Sequence, residues 1–297
     1  MDGVMIGIPT YNGWHRVRDL LLNLKQRTDP LIPHQIVICD DSGKEGHRQR
    51  VREACVEFGA TYIENRKNSG VAASWNALVK STDHDAAILL NDDVLVANGW
   101  LGPIVYAIRE NPGAGSVSMN CLFITTSDVQ KILEGPHAKA IPLNVRYENG
   151  VLIRNQRFLE MPKQEDHHPG RVMCPAGCAF GFRRKIYDLV GGFDERYFAF
   201  YEETDFGVAC AQRGMPAFTL PFPNDNYHIW SATFGSAPEI PAGEIMNQSR
   251  NKFVAKWSAI LGRNFQDAPD IHNLLMDKIG KFPFRWIGVG GQREEVL

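Results

Sequence analysis

The feature that most limits what this chain can fold into is an alternation. Over the first hundred residues, short apolar runs alternate with helix-like segments, and several of the runs end in polar clusters. Val4 to Pro9 reads as a strand, and Arg16 to Leu24, with leucines at 20, 21, 22 and 24, as a helix. Gln35 to Gly43 is a buried strand that runs into two aspartates and a turn. Gln49 to Phe58 reads as an amphipathic helix, Ala60 to Glu64 as a strand, Gly70 to Val79 as a small-residue helix and Ala86 to Leu90 as a fourth strand. Alternation with short connections predicts an α/β fold: a mostly parallel, Rossmann-like central sheet with helices on both faces.

Ligands of such sheets bind outside the carboxyl ends of the strands. Three polar clusters fall there: Thr10-Tyr11-Asn12, Asp40-Asp41-Ser42 and Asn91-Asp92-Asp93. One polar cluster after a strand is usually a turn. Three in consecutive units point to a common site. In an extended segment residues i and i+2 face the same way, so Asn91 and Asp93 share a side and Asp92 faces the other. Oxygen ligands of this kind suit Mn²⁺ or Mg²⁺ bridging to phosphates.

The second half is less regular. Ala114 to Thr126 and Gly150 to Phe158 read as strands, and Pro162 to Gly170 as a polar loop able to close over a ligand. Met173 to Phe182 is apolar with small residues, and a short helix over Arg183 to Val190 ends at Gly191-Gly192. Glu202 to Arg213 reads as a helix with acids in its first turn, where the helix dipole also favours them. A carboxylate in Glu202-Glu203-Thr204-Asp205 has the chemistry of a general base for a hydroxyl. Strands follow near Ala217 to Leu220 and Asn226 to Trp230, the latter carrying His228, an imidazole able to ligate a metal. Helices are expected over Glu244 to Leu261 and Asp270 to Ile279, with a loose tail after Gly290. Arg16, Arg18, Lys25 and Arg27 read as scattered positions on a solvated helix face.

Bulk properties exclude some classes. At 297 residues, 44% hydrophobic and with a formal charge of -2, the chain can bury a sizeable core and has no bulk attraction to nucleic acid or anionic membrane. Its six cysteines lack zinc-finger spacing and read as reduced thiols. No apolar run approaches the roughly 18 residues of a membrane span. The first strand begins almost at the start of the sequence, with no leader visible. A cytoplasmic location is expected, with any membrane-linked acceptor met at the membrane surface.

Five segments together resemble the family 2 glycosyltransferases, inverting enzymes of the GT-A fold. They are IPTYNG (Ile8 to Gly13), ICDDSG (Ile38 to Gly43), NSGVAASWNALV (Asn68 to Val79), LLNDDV (Leu89 to Val94) and GGFDERYFAFYEETDF (Gly191 to Phe206). The resemblance covers about residues 4 to 230, and RNKFVAKW, Arg250 to Trp257, is similar to tails of some of these enzymes. It implies a catalytic domain over 1–232, with a nucleotide-sugar half (1–115) and an acceptor half (116–232), and a helical extension over 233–297 packed on it. Pro9, Tyr11 and Asp41 would line the base and ribose pocket. Asn12, Asn68, Asn76, Asp92, Gly177 and Cys178 would complete the nucleotide-sugar site, and Asp93, His228 and Asn91 would hold Mn²⁺ or Mg²⁺. Glu203 would be the catalytic base, and Glu202, Asp205, Tyr201 and Trp230 would meet the acceptor.

The implied reaction moves a sugar from a UDP-, GDP- or dTDP-sugar to a hydroxyl, with a saccharide as the default acceptor. Two departures stand out: Asn91 replaces the first aspartate of the usual D-x-D, and Glu203 replaces the usual aspartate base. They motivate the alternative of a catalytically silent nucleotide-sugar-binding or scaffold protein. A nucleotidyltransferase, a further alternative, would carry a glycine-rich basic loop after the first strand, and Thr10 to Trp14 is not one.

Overall fold

The computed structural model describes residues 3–119, 121–124, 129, 133, 170–220, 226–229, 241–279, 284–287 and 293–296. The expected strand over 150–158, nearly all of the 162–170 loop and Trp230 lie outside the described residues.

The predicted alternation is present as β1 (Val4–Thr10), α1 (Trp14–Arg27), β2 (His34–Asp40), α2 (Glu45–Phe58), β3 (Thr61–Glu64), α3 (Val71–Lys80) and β4 (Ala86–Leu90). These strands lie in the order β3-β2-β1-β4 and are all parallel. All five residues of β4 are buried, as a strand covered on both faces requires. Each Ile or Leu there contributes about 1.5–3 kcal/mol of burial.

The chain continues through β5 (Val94–Leu95), α4 (Leu101–Glu110), β6 (Ser116–Ser118), β7 (Cys121–Ile124), β8 (Gly170–Val172), β9 (Ala179–Arg183), α5 (Arg184–Val190), α6 (Glu202–Gln212), β10 (Ala217–Thr219) and β11 (Asn226–Ile229). β9 runs antiparallel to β4 and extends the sheet to eight strands through β6, β10 and β8. The sequence expectation of one strand over 114–126 resolves into two, because β6 stays in the large sheet and β7 leaves it. β7 pairs with β11, which pairs with β5, in a separate three-stranded sheet. α4 carries Gly102 and Pro103 in its first turn, which hides it in the sequence although a first-turn proline is compatible with a helix.

Two cores flank the large sheet. Val4, Ile6 and Ile8 of β1 face α1, α2 and α4, whereas Met5, Val37 and Leu89 face α3, α5 and α6. A third cluster joins α6 to α7 (Ala242–Leu261) and α8 (Ala268–Ile279) through Val208, Phe253, Trp257, Ile271 and Leu275. The expected loose tail is instead a strand, β13 (Arg293–Val296), antiparallel to β12 (Phe284–Ile287). All six cysteines are free, four of them buried.

One backbone position couples the two halves of the sheet. Gly70 has φ +88 and sits directly against the segment preceding α6: a Cβ there would lie 2.3 Å from the Phe198 carbonyl oxygen. That carbonyl accepts a 2.7 Å hydrogen bond from the Val71 amide. Gly70→Ala meets both the left-handed backbone penalty and this contact, so it should cost more than about 1 kcal/mol, read as a lower urea midpoint. Gly46→Ala, with open space around it, is the matched control.

Candidate active site

The site gathers at the carboxyl ends of β1, β2 and β4, where three loops meet. Asp92 is buried and receives Arg16 Nε at 3.0 Å, Arg16 Nη2 at 3.2 Å and Thr10 Oγ1 at 2.6 Å. This corrects one expectation. Arg16 is not on a solvated face but only 6% exposed. Asp92 is its counter-ion. Arg18, by contrast, is exposed and pairs with Glu57 on the surface. Gly13 makes the Asp92 cluster possible, since a Cβ there would lie 2.3 Å from Asp92 Oδ2 and 2.5 Å from Arg16 Nη2.

Asp41 is likewise engaged. Its carboxylate accepts from Asn65 Nδ2 at 2.8 Å, the Ser69 amide at 2.9 Å and the Gly70 amide at 2.8 Å. It thereby fixes the 65–70 loop. Asn76 is engaged as well. Its amide nitrogen donates to the Phe193 carbonyl and to Glu195, and its oxygen accepts from Tyr187 and the Phe193 amide. Both donors and both lone pairs are taken. Asn76 ties α3 to the loop before α6.

Alternation along the Asn91–Asp93 segment sends its side chains apart. Asp92 turns to Arg16, and Asp93 turns to His228, whose Nε2 lies 3.1 Å from Asp93 Oδ1. The small sheet explains this meeting, because His228 pairs in register with Val94. Burial opposes charging of His228, but Asp93 and then Cys178 outweigh it and raise the imidazole to about 9. Asp93 Oδ1 is buried against that imidazole. Asn91 is held through its backbone, its amide donating to the Cys178 carbonyl at 2.9 Å.

Asp93 and His228 fit a hard divalent cation that completes its shell with phosphate and water. Among the described residues, no three His, Cys, Asp or Glu side chains converge to hold a metal by themselves.

On the other side stands Glu203, in the first turn of α6. A Cβ on Gly177 would lie 3.1 Å from Glu203 Cγ, so the residue beside the Asn91 anchor is also the residue against the acid. Burial pushes the Glu203 carboxyl up, and hydrogen bonds from its own amide and from Thr204 offset part of that. Burial and then Glu203 raise Glu202 well above the usual range, and Glu202 Oε2 is buried with no hydrogen bond among the described residues. Two neighbouring acids thus titrate as a pair. Cys178 lies beside Cys121, which brings its thiol down to about 7 against burial, with help from His228.

The loop that delivers Glu203 is strained. Phe200 and Tyr201 hold φ of 65 and 71, a conformation L-residues seldom adopt. It is held from behind by Asp205. Trp257 Nε1 donates to Asp205 at 2.9 Å, Lys256 Nζ at 2.6 Å and the Tyr197 hydroxyl at 3.2 Å. Ser249 Oγ donates to the Ala199 carbonyl at 2.7 Å. Asp205 is therefore an internal anchor of this loop. The Arg250–Trp257 stretch of the sequence held the signal for its partners. Pro9, Tyr11 and Asn12 are half-buried at the end of β1, Tyr201 is half-buried beside Glu203, and Asn68 is exposed on the 65–70 loop.

The model of the family described as Glycosyl transferase family 2 matches residues 5–191. The uncharacterized glycosyltransferase YwdF of Bacillus subtilis (strain 168) is 25% identical over 193 residues, 64% of this chain and 62% of that protein. GalNAc-T7, solved with UDP, GalNAc and Mn²⁺, superposes with TM-score 0.61 at 17% identity, covering 77% of this chain and 44% of that one. A mannosyltransferase of Pyrobaculum calidifontis in complex with GDP-Man and Mn²⁺ superposes with TM-score 0.58 at 19% identity, covering 93% and 68%. TarS of S. aureus (residues 1–349) with UDP-GlcNAc does so with TM-score 0.60 at 12% identity, covering 93% and 71%. The chain thus spans less than two thirds of YwdF and of GalNAc-T7. These likenesses establish the GT-A fold.

Arg16 and Arg18 of α1 make opposite predictions. Asp92→Ala leaves a buried guanidinium without its counter-ion and should cost about 3–5 kcal/mol in denaturant unfolding. Arg18→Ala removes only a surface pair and should cost less than about 1 kcal/mol.

Proposed function

The chain belongs to glycosyl transferase family 2, and on that premise we propose that it transfers a sugar from a nucleoside-diphosphate donor to a hydroxyl acceptor with inversion at the sugar carbon. The observation that carries this reading is that Glu203 and the Asp93–His228 pair flank the same two residues, Gly177 and Cys178. In this reading a base lies on one side of that segment and a cation-binding pair on the other.

The donor's sugar lies against Gly177 and Cys178, and its diphosphate lies toward Asp93 and His228. Tyr11, Pro9 and Asn12 border the nucleoside. Glu203 takes the proton of the acceptor hydroxyl as that oxygen bonds to the anomeric carbon. The bond from that carbon to the diphosphate breaks on the opposite face, and the electron pair leaves with the diphosphate. A bound Mn²⁺ or Mg²⁺ would neutralise the charge that builds on the leaving diphosphate. Burial and the neighbouring Glu203 favour the protonated form of Glu202, which keeps the pair from carrying two charges while Glu203 acts as the base. A UDP-, GDP- or dTDP-sugar fits the donor role. A saccharide fits the acceptor role, with the half-buried Tyr201 beside the base. No helix among the described residues is long and apolar enough to cross a membrane.

Glu203→Gln should lower turnover by about 10²–10⁴-fold while nucleotide affinity stays unchanged. Near-normal turnover would remove Glu203 from the mechanism. The wild-type rate should fall as pH drops through the raised Glu203 pKa, above the roughly 4.3 of a free glutamate, because only the ionised carboxylate accepts the proton.

Mn²⁺ should raise the melting temperature mainly when UDP or GDP is also present, since the protein supplies two ligands and the diphosphate the rest. Asp93→Ala should erase that synergy. An equal shift with Mn²⁺ alone would mean that the cation sits elsewhere.

A further inference from the structure

Two of the six cysteines touch each other, and they do so at the foot of the Asp93–His228 pair. Cys178 stands just before β9 and Cys121 opens β7, and their thiols are in hydrogen-bonding contact. Both are partly exposed, which leaves them within reach of a small solute. Cys39, Cys55, Cys174 and Cys210 are instead buried in the three cores.

Topology produces the meeting. β6 ends alongside β9, with the Met119 amide donating to the Ala179 carbonyl at 3.0 Å, and two residues later the chain has left the large sheet as β7. One thiol is thereby left on each side of the departure. Each is also tied to one member of the candidate cation pair. The Cys178 carbonyl accepts from the Asn91 amide at 2.9 Å, and Asn91 opens the segment that carries Asp93. Cys121 pairs in register with Asn226 and Phe123 with His228, so β7 is a strand on which His228 is seated.

We propose that Cys121 and Cys178 are an oxidisable thiol pair, which a hydroperoxide closes into a disulfide that weakens cation and diphosphate binding at Asp93 and His228. One thiol attacks the peroxide: an S–O bond forms, the O–O bond breaks, and the departing oxygen leaves as water with the thiol proton. The second thiol attacks the resulting sulfenic acid: the S–S bond forms, the S–O bond breaks, and a second water leaves. The two sulfurs give up two electrons and the peroxide takes them. Bonded sulfurs lie closer together than touching ones, so closure draws Cys178 and β7 toward each other and shifts the backbone that sets Asp93 against His228. The bond itself does not depend on the transferase reading, whereas its effect on binding rests on that reading.

The test treats the full chain with hydrogen peroxide, blocks the remaining thiols with iodoacetamide in denaturant, and maps the peptides without reduction. The expected product is a Cys121–Cys178 cross-link, opened by a phosphine, with the other four cysteines alkylated. No cross-link, or one between other cysteines, overturns the pair. Titration calorimetry then follows UDP in the presence of Mn²⁺ on the oxidised and the reduced protein. Disturbing the groups just outside a metal's ligands weakens binding by about 10–100-fold, so the oxidised form should bind about tenfold more weakly and recover on reduction. Cys121→Ser should bind as the reduced wild type does, before and after peroxide. Equal affinity despite a mapped bond, or a peroxide effect that persists in Cys121→Ser, overturns the switch. If that variant does not fold, recovery of the wild type on reduction makes the same decision. Should the reduced wild type bind no UDP with Mn²⁺, the transferase reading falls and the effect on binding falls with it, while the peptide map still decides the bond.

Discussion

The buried ion pair between Arg16 and Asp92 is the interaction on which the rest of the site depends. Arg16 comes from the first turns of α1 and Asp92 from the segment after β4, and Thr10 at the end of β1 completes the cluster. Two neighbouring parallel strands are thus locked at their carboxyl ends. With Asp92 drawn inward, the alternating backbone turns Asp93 to the other side, where β11 delivers His228. A buried pair of this kind is weak evidence for net stability, because desolvating two charges offsets most of their attraction. What it secures here is geometry. The pair fixes which acid of the Asn91–Asp93 segment is left to meet a ligand.

A second set of constraints places Glu203. Phe200 and Tyr201 are held in left-handed backbone conformations that nothing local favours. The compensation comes from a distance: Asp205 gathers Tyr197, Lys256 and Trp257, Ser249 grips Ala199, and Gly70 admits the Phe198 carbonyl. α7 therefore acts as a brace for the loop that carries Glu203. Strain in the loop and bracing from the helix are two sides of one device, which delivers a half-buried carboxylate against Gly177.

The sheet and its helices were legible because burial on both faces writes continuous apolar runs, as in β1 and β4, and periodic ones, as in α1. The double glycine at 191–192 marked the end of α5 for a similarly local reason, Gly191 being in the left-handed region. α4 was hidden by two residues that usually break helices. The split between β6 and β7 was hidden because which sheet a strand joins is set by its partners. Arg16 misled because Arg18 and Lys25 of the same helix are exposed, whereas its burial depends on an aspartate 76 residues away.

The sequence alone determined the fold class, the strand ends at which a ligand site forms, and the chemical types present there. Apolar periodicity and strand-end polarity are local properties, fixed by which side chains must leave water. Only the tertiary structure decided which polar groups remain available. Asp41, Asp92, Asn76 and Asp205 all carry the residue types of a binding site, yet each is engaged by groups from another element. Asp93 and His228 pair with each other, and Glu202 keeps a carboxyl oxygen without a hydrogen bond among the described residues. Hydrogen-bonding capacity is finite, and its allocation among distant partners is settled only when the chain has folded.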